Sequence, residues 1–129
     1  MVIVFLTLAG CSTLFSGGAL FGQGEENRVR PWQQTPGGDP ERGRERIREY
    51  GCDTCHAIPG LPGPESMVGP PLNDWAERHY IAGALPNTPH NLIIWIMEPQ
   101  SIEPGTAMPD MGVGAQEARD IAAYLYTLD

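Results

Sequence analysis

The sequence predicts an all-α fold of short helices joined by long loops, and three observations carry that expectation. Residues 39–50, 89–97 and 115–127 each combine helix start signals or helical spacing of apolar side chains. The 129 residues include 16 glycines and 13 prolines, too many for long regular elements. Directly after the first helical stretch stands Cys52-Asp53-Thr54-Cys55-His56, a closely spaced set of two thiols and an imidazole.

Residues 2–9 form an apolar run too short to span a bilayer alone. It ends in Leu8-Ala9-Gly10-Cys11, which resembles a bacterial lipobox, although no Lys or Arg precedes the run. Residues 1–10 are therefore expected to be a lipoprotein-type signal peptide, with Cys11 lipidated as the mature N-terminus. An uncleaved anchor helix over residues 2–22 is the alternative, and a buried free thiol at Cys11 is the plainest reading. Residues 11–38 read as a lipid-anchored tether, because Ser, Gly, Gln, Glu and Pro recur without a lasting helical or strand period. Trp32 is the exception, set to pack on the domain or on a partner.

The folded domain is expected over residues 39–129. Asp39-Pro40 opens it as an N-cap followed by proline at the first helical position. The helix runs to about Tyr50, where Gly51 ends it. Gly43 and Ile47 are four apart and share one face, where a small residue admits a close neighbour. Ile58 to Leu72 is rich in Gly and Pro and closes with Gly69-Pro70-Pro71-Leu72, so it reads as an ordered loop. A short helical turn is expected around Asp74 to Ala82. Asn87-Thr88-Pro89 then launches a helix to Met97, with Leu92, Trp95 and Ile96 on one face. Pro99 ends it, Gln100 to Gly114 reads as loop, and Ala118, Ile121, Ala122 and Leu125 mark a last helix.

The formal charge of −8 argues against nucleic acid as a partner, since its phosphates would repel the chain. All eight basic residues are arginine, and Arg42, Arg44, Arg46 and Arg48 read as a solvated helix face beside acidic neighbours.

Cys52-x-x-Cys55-His56 is the attachment signature of a c-type haem. The spacing lets two sulfurs reach the two vinyl groups on one edge of a flat macrocycle, while the adjoining imidazole binds the iron from one side. A redox-active thiol pair would want a strand before it in a βαβ setting, and none is visible. A zinc site needs further ligands, but the third cysteine is Cys11, and His79 and His90 lack finger spacing.

From about Gly38 to Leu128 the chain resembles the class I, single-haem c-type cytochromes. The helix with Gly43 and Ile47, the Cys52/Cys55/His56 box, Gly69-Pro70-Pro71-Leu72, Pro104-Gly105-Thr106-Ala107-Met108 and the terminal helix through Leu125 follow that family's order. The resemblance implies the cytochrome c fold around one haem c, attached through Cys52 and Cys55, with His56 as proximal ligand. It implies that the first and last helices cross near Gly43, Ile47, Ile121 and Tyr124, and that the Pro70 carbonyl accepts a hydrogen bond from the far nitrogen of His56. Leu72 is then expected to touch the haem face, Trp95 to lie near its methionine side, and Arg78 and Tyr80 to reach the propionates.

For the second axial ligand, Met108 precedes Pro109 in a loop that can turn to the iron and matches the family's ligand position. Met111, His79, His90 and an open site are the alternatives. Met67 lies on the His56 side, eleven positions after it, and Met97 reads as core. A His/Met-ligated iron leaves no position for a substrate and favours the ferrous state, which suits a one-electron carrier rather than an enzyme. The overall pattern is similar to small membrane-tethered cytochromes associated with haem–copper oxidases. The expected partner is a respiratory membrane complex, an oxidase or a quinol-oxidising complex, on the outer side of the bacterial cytoplasmic membrane, with the chain as carrier or fixed subunit. A haem sensor or enzyme with labile Met108 is the remaining reading. The chain has no lysine, so docking must be apolar or must set its acidic groups against a basic partner.

Overall fold

Capping decides where the helices begin. In the computed structural model, which describes residues 29–63 and 68–129, helix α1 spans Pro40–Glu49. The Asp39 side chain accepts hydrogen bonds from the Glu41 and Arg42 amides, satisfying donors that the first turn leaves open. Thr88 does the same for the Asn91 amide at the start of α2, Pro89–Met97. A one-turn helix α3, Pro99–Ile102, follows directly, and α4 spans Ala115–Leu125. The last of these begins at Gly114, whose amide donates to the Glu117 carboxylate (3.1 Å).

Two elements depart from the expectation. The stretch expected as a helical turn, 74–82, is a single 3-10 turn at Trp75–Glu77, followed by an antiparallel pair: β1, Tyr80–Ile81, and β2, Leu85–Pro86. Two-residue strands carry no readable period, and their reversal relies on positive φ at Ala82 and Gly83. The loop expected from Gln100 begins with α3, whose Pro99 is fully buried. The fold is otherwise helical, with short helices and long loops.

Helices α1 and α4 cross at the centre. Ile47, Ala118, Ile121, Ala122 and Leu125 are buried between and beside them, joined by Leu92, Trp95 and Ile96 from α2. A methyl group on Gly43 would overlap the Asp120 carbonyl, so glycine is what lets the two backbones touch. Beside this contact the buried Asp120 carboxylate accepts from the Asp39 amide (2.8 Å), Arg42 Nε (3.1 Å) and Gln116 Nε2 (3.0 Å). One carboxylate thereby ties the start of α1 to α4.

Burial pushes the Asp120 carboxyl up, but the hydrogen bonds from Arg42, the Asp39 amide and Gln116 outweigh it and hold the group below its usual range. A depressed carboxyl contributes stability that is present above the unfolded-state pKa of about 4 and lost as pH falls through the folded value. Asp120→Asn is therefore expected to lower stability at pH 7 by about 1–3 kcal/mol and to flatten the acid limb below about pH 4. Urea unfolding of both proteins at pH 7 and pH 3 checks this; an equal gap at both values refutes it.

The sequence places residues 11–38 in a tether, but 29–38 lie against the domain. Gln33 is buried and donates to the Ala76 carbonyl, Arg30 pairs with Glu77 (2.6 Å), and Gln116 donates to the Gly37 carbonyl (2.7 Å). A polar segment hides such contacts because they use side-chain amides rather than an apolar period. The expected signal peptide 1–10, Cys11 and the tether up to residue 28 lie outside the described residues, as does Met67. Among the described residues no helix is long and apolar enough to cross a membrane.

Candidate haem site

Gly51, at φ 68°, turns the chain out of α1 and into a 3-10 turn at Cys52–Thr54. The Cys55 and His56 amides both donate to the Cys52 carbonyl, at 3.2 and 3.0 Å, so the two thiols and the imidazole come from one tight coil. Both cysteines are half-buried and neither is in a disulfide. Burial pushes the Cys52 thiol up to about 11. A redox-active pair relies on a thiol whose pKa is lowered toward neutrality, and Cys52 is shifted the other way.

His56 is fixed from across the following loop. Its Nδ1 lies 2.7 Å from the Pro70 carbonyl oxygen. A carbonyl only accepts, so Nδ1 is the donor, and in the neutral ring that leaves the Nε2 lone pair for a metal. The Gly69 amide donates to the Cys55 carbonyl (2.8 Å) and the Leu72 amide to the Ala57 carbonyl (2.8 Å). This lays the loop flat over the imidazole: a Cβ on Gly69 would sit 2.5 Å from His56 Cε1. An apolar cavity of about 300 Å³, lined by His56, Ile58, Pro59, Leu61 and Pro71 among others, opens beside the ring.

The other residues singled out from sequence differ in where they lie. Leu72 and Trp95 are in the core, while Tyr80 is 63% exposed on β1. Arg78 donates to the Pro71 and Asn73 carbonyls and stands over the Trp75 ring, 5.2 Å from its centroid. Met108 is partly buried against the core, whereas Met111 is 41% exposed. Met97 packs against the core at the end of α2. Tyr124, at the α1–α4 side, donates to the Pro59 carbonyl (2.9 Å) and so holds the loop that follows the cysteine box.

Two residues whose long-range bonds sequence reasoning did not foresee support this arrangement. Asn87 is buried and donates to the Trp75 and Arg78 carbonyls, both at 3.0 Å, and accepts from the Tyr126 hydroxyl (2.8 Å). The turn bearing Arg78 is thus held from Tyr126, just past the end of α4. Gln100 bonds the loop around Met108. An Asn before a helix cap and a Gln after a proline are ordinary in sequence, so neither carried a signal of these bonds.

The donor set fits a haem. Two thiols and an imidazole with a free Nε2 share one coil, and the buried Trp75 indole N–H has no hydrogen-bond partner among the described residues. A buried donor left unpaired is costly unless a bound group supplies the acceptor. No group of three or more His, Cys, Asp or Glu side chains among the described residues is arranged to hold a metal, so the zinc reading finds no completing ligands there.

Fold and site together are those of a c-type cytochrome: the cytochrome c family model matches residues 40–129, and the chain belongs to that family. Its similar relatives are named cytochrome c oxidase subunit 2. The one from Alkalihalophilus pseudofirmus is 39% identical over 90 residues, covering 67% of this chain and 25% of that protein. The one from Bacillus subtilis is 28% identical over 107 residues, covering 81% of this chain and 30% of that protein. The chain thus spans a quarter to a third of the length of these two relatives.

Proposed function

We propose that this protein carries one haem c, bound through Cys52 and Cys55 and ligated by His56 and Met108, and passes single electrons to a haem–copper oxidase. The observation that carries the reading is the Pro70-fixed imidazole beside two thiols, within a chain of the cytochrome c family. When bound, the haem supplies a one-electron couple. The protein's own residues do the rest. His56 presents Nε2 in a fixed orientation, and its bond to Pro70 raises the basicity of the ring. The buried Leu72 and Trp95 would help to keep water from the bound group, and a thioether sulfur from Met108 would favour its reduced state. The Trp75 N–H and Arg78, held by Asn87, are available to the acidic edge of the macrocycle.

The oxidase is proposed from the names of the relatives. In those proteins the matched stretch is a minor part of a longer oxidase subunit, which also favours a second reading, a fixed subunit rather than a diffusing carrier. We place the domain outside the cytoplasmic membrane, held by lipid on Cys11, with the side chains of its acidic surface meeting a basic partner or an apolar patch docking.

The test measures electron transfer from the reduced protein to a purified haem–copper oxidase as ionic strength rises. Steering by the acidic groups predicts a steep fall in rate and apolar docking a shallow one. A rate that climbs with salt would mean repulsion and refute both modes, and no transfer at any salt would remove the oxidase as partner. Co-purification with the oxidase in mild detergent separates the fixed subunit from the carrier.

A further inference from the structure

Among the described residues, the side-chain hydrogen bonds that tie the loop bearing Met108 to α3 come from Gln100. Gln100, on α3, makes three hydrogen bonds to it. Its Oε1 accepts from the Gly105 amide (3.2 Å), and its Nε2 donates to the Thr106 carbonyl (2.6 Å) and to the Met108 carbonyl (3.0 Å). The amide orientation is dictated by its partners, because an N–H only donates and a carbonyl only accepts. The neighbouring bonds from the Thr106 amide to the Glu103 carbonyl (3.0 Å) and from the Met108 amide to Thr106 Oγ1 (3.4 Å) close within the loop. Pro104 and Pro109 lack an N–H and contribute no donor. The base of the latch is firm, since Pro99, the preceding residue, is fully buried.

We propose that Gln100 is a positioning residue that latches the 105–108 loop and so sets how readily Met108 leaves the iron. The inference rests on the reading of Met108 as axial ligand. With the latch closed, the loop backbone between Gly105 and Met108 is held at both ends and the thioether is kept in place. With it open, Met108 retains its covalent neighbours but loses the link to α3, and the sixth position becomes accessible to small ligands. The carboxamide is suited to this because it offers an acceptor and two donors at once. A carboxylate would keep the bond to the Gly105 amide and repel the two carbonyls.

The experiment uses the full holoprotein, reduced, with carbon monoxide as probe and the methionine–iron charge-transfer band of the oxidised form as second readout. Gln100→Ala is expected to raise the rate of carbon monoxide binding by about tenfold or more, as loss of two or three modest hydrogen bonds implies, with haem content unchanged. Gln100→Glu should open the site at least as much. Ser101→Ala removes a neighbouring bond on the same helix, from Ser101 Oγ to the Glu98 carbonyl (2.8 Å), and should leave the rate within twofold of the parent. A parent protein with the methionine band, whose Gln100→Ala variant binds carbon monoxide no faster, overturns the latch alone. A parent without the band overturns the Met108 reading and the latch with it.

Discussion

Met108→Ala is expected to give a folded haem protein whose midpoint potential falls by on the order of 0.1 V or more and whose iron binds carbon monoxide at neutral pH. A thioether stabilises the ferrous iron, so its loss favours the oxidised state, and alanine has no atom that can reach the metal. The half-buried Met108 packs against the core, while Met111, the nearest rival in the same loop, is more exposed, at 41%. Redox titration and the charge-transfer band decide between them. If Met111→Ala abolishes the band and Met108→Ala keeps it, the wrong methionine has been assigned.

Gly43→Val is expected to destabilise the domain by about 3 kcal/mol or more, and Gly43→Ala by about 1–3 kcal/mol. Alanine is the better helix former by about 1 kcal/mol, so propensity alone predicts the opposite sign for that variant. The clash wins because the obstacle is backbone: the added carbon would meet the Asp120 carbonyl, which cannot move without shifting α4. Chemical denaturation gives the answer. An alanine variant as stable as the parent would mean that the helices separate at little cost.

The parts of this fold legible in the sequence were those governed by local chemistry. Asp39-Pro40 and Thr88-Pro89 start α1 and α2 where the caps require, and the cysteine box with Gly69 and Pro70 yielded the site's anchors. The helix crossing at Gly43 was legible as a small residue on an apolar face. What escaped were arrangements made by polar side chains reaching distant backbone. Gln33 on Ala76, Asn87 between Trp75 and Arg78, and Gln100 on the Met108 loop follow no period. The β1–β2 hairpin escaped for another reason. Its reversal puts Ala82 at φ 50°, where a sequence reader expects glycine or asparagine.

The contact between α1 and α4 also bears on how the chain finds its fold. Arg42 and Asp120 meet across 78 positions of sequence, so the central helix pair cannot form until almost the whole domain has been drawn into a loop. Closing so long a loop is entropically costly before any contact rewards it, although each doubling adds only about 0.6 kcal/mol. A macrocycle bonded at Cys52 and Cys55, as proposed above, would gather apolar segments between the two helices and lessen that search. Cofactor attachment and collapse would in this way be coupled steps. A chain made without its haem is expected to hesitate at the docking of its last helix rather than at the formation of its first.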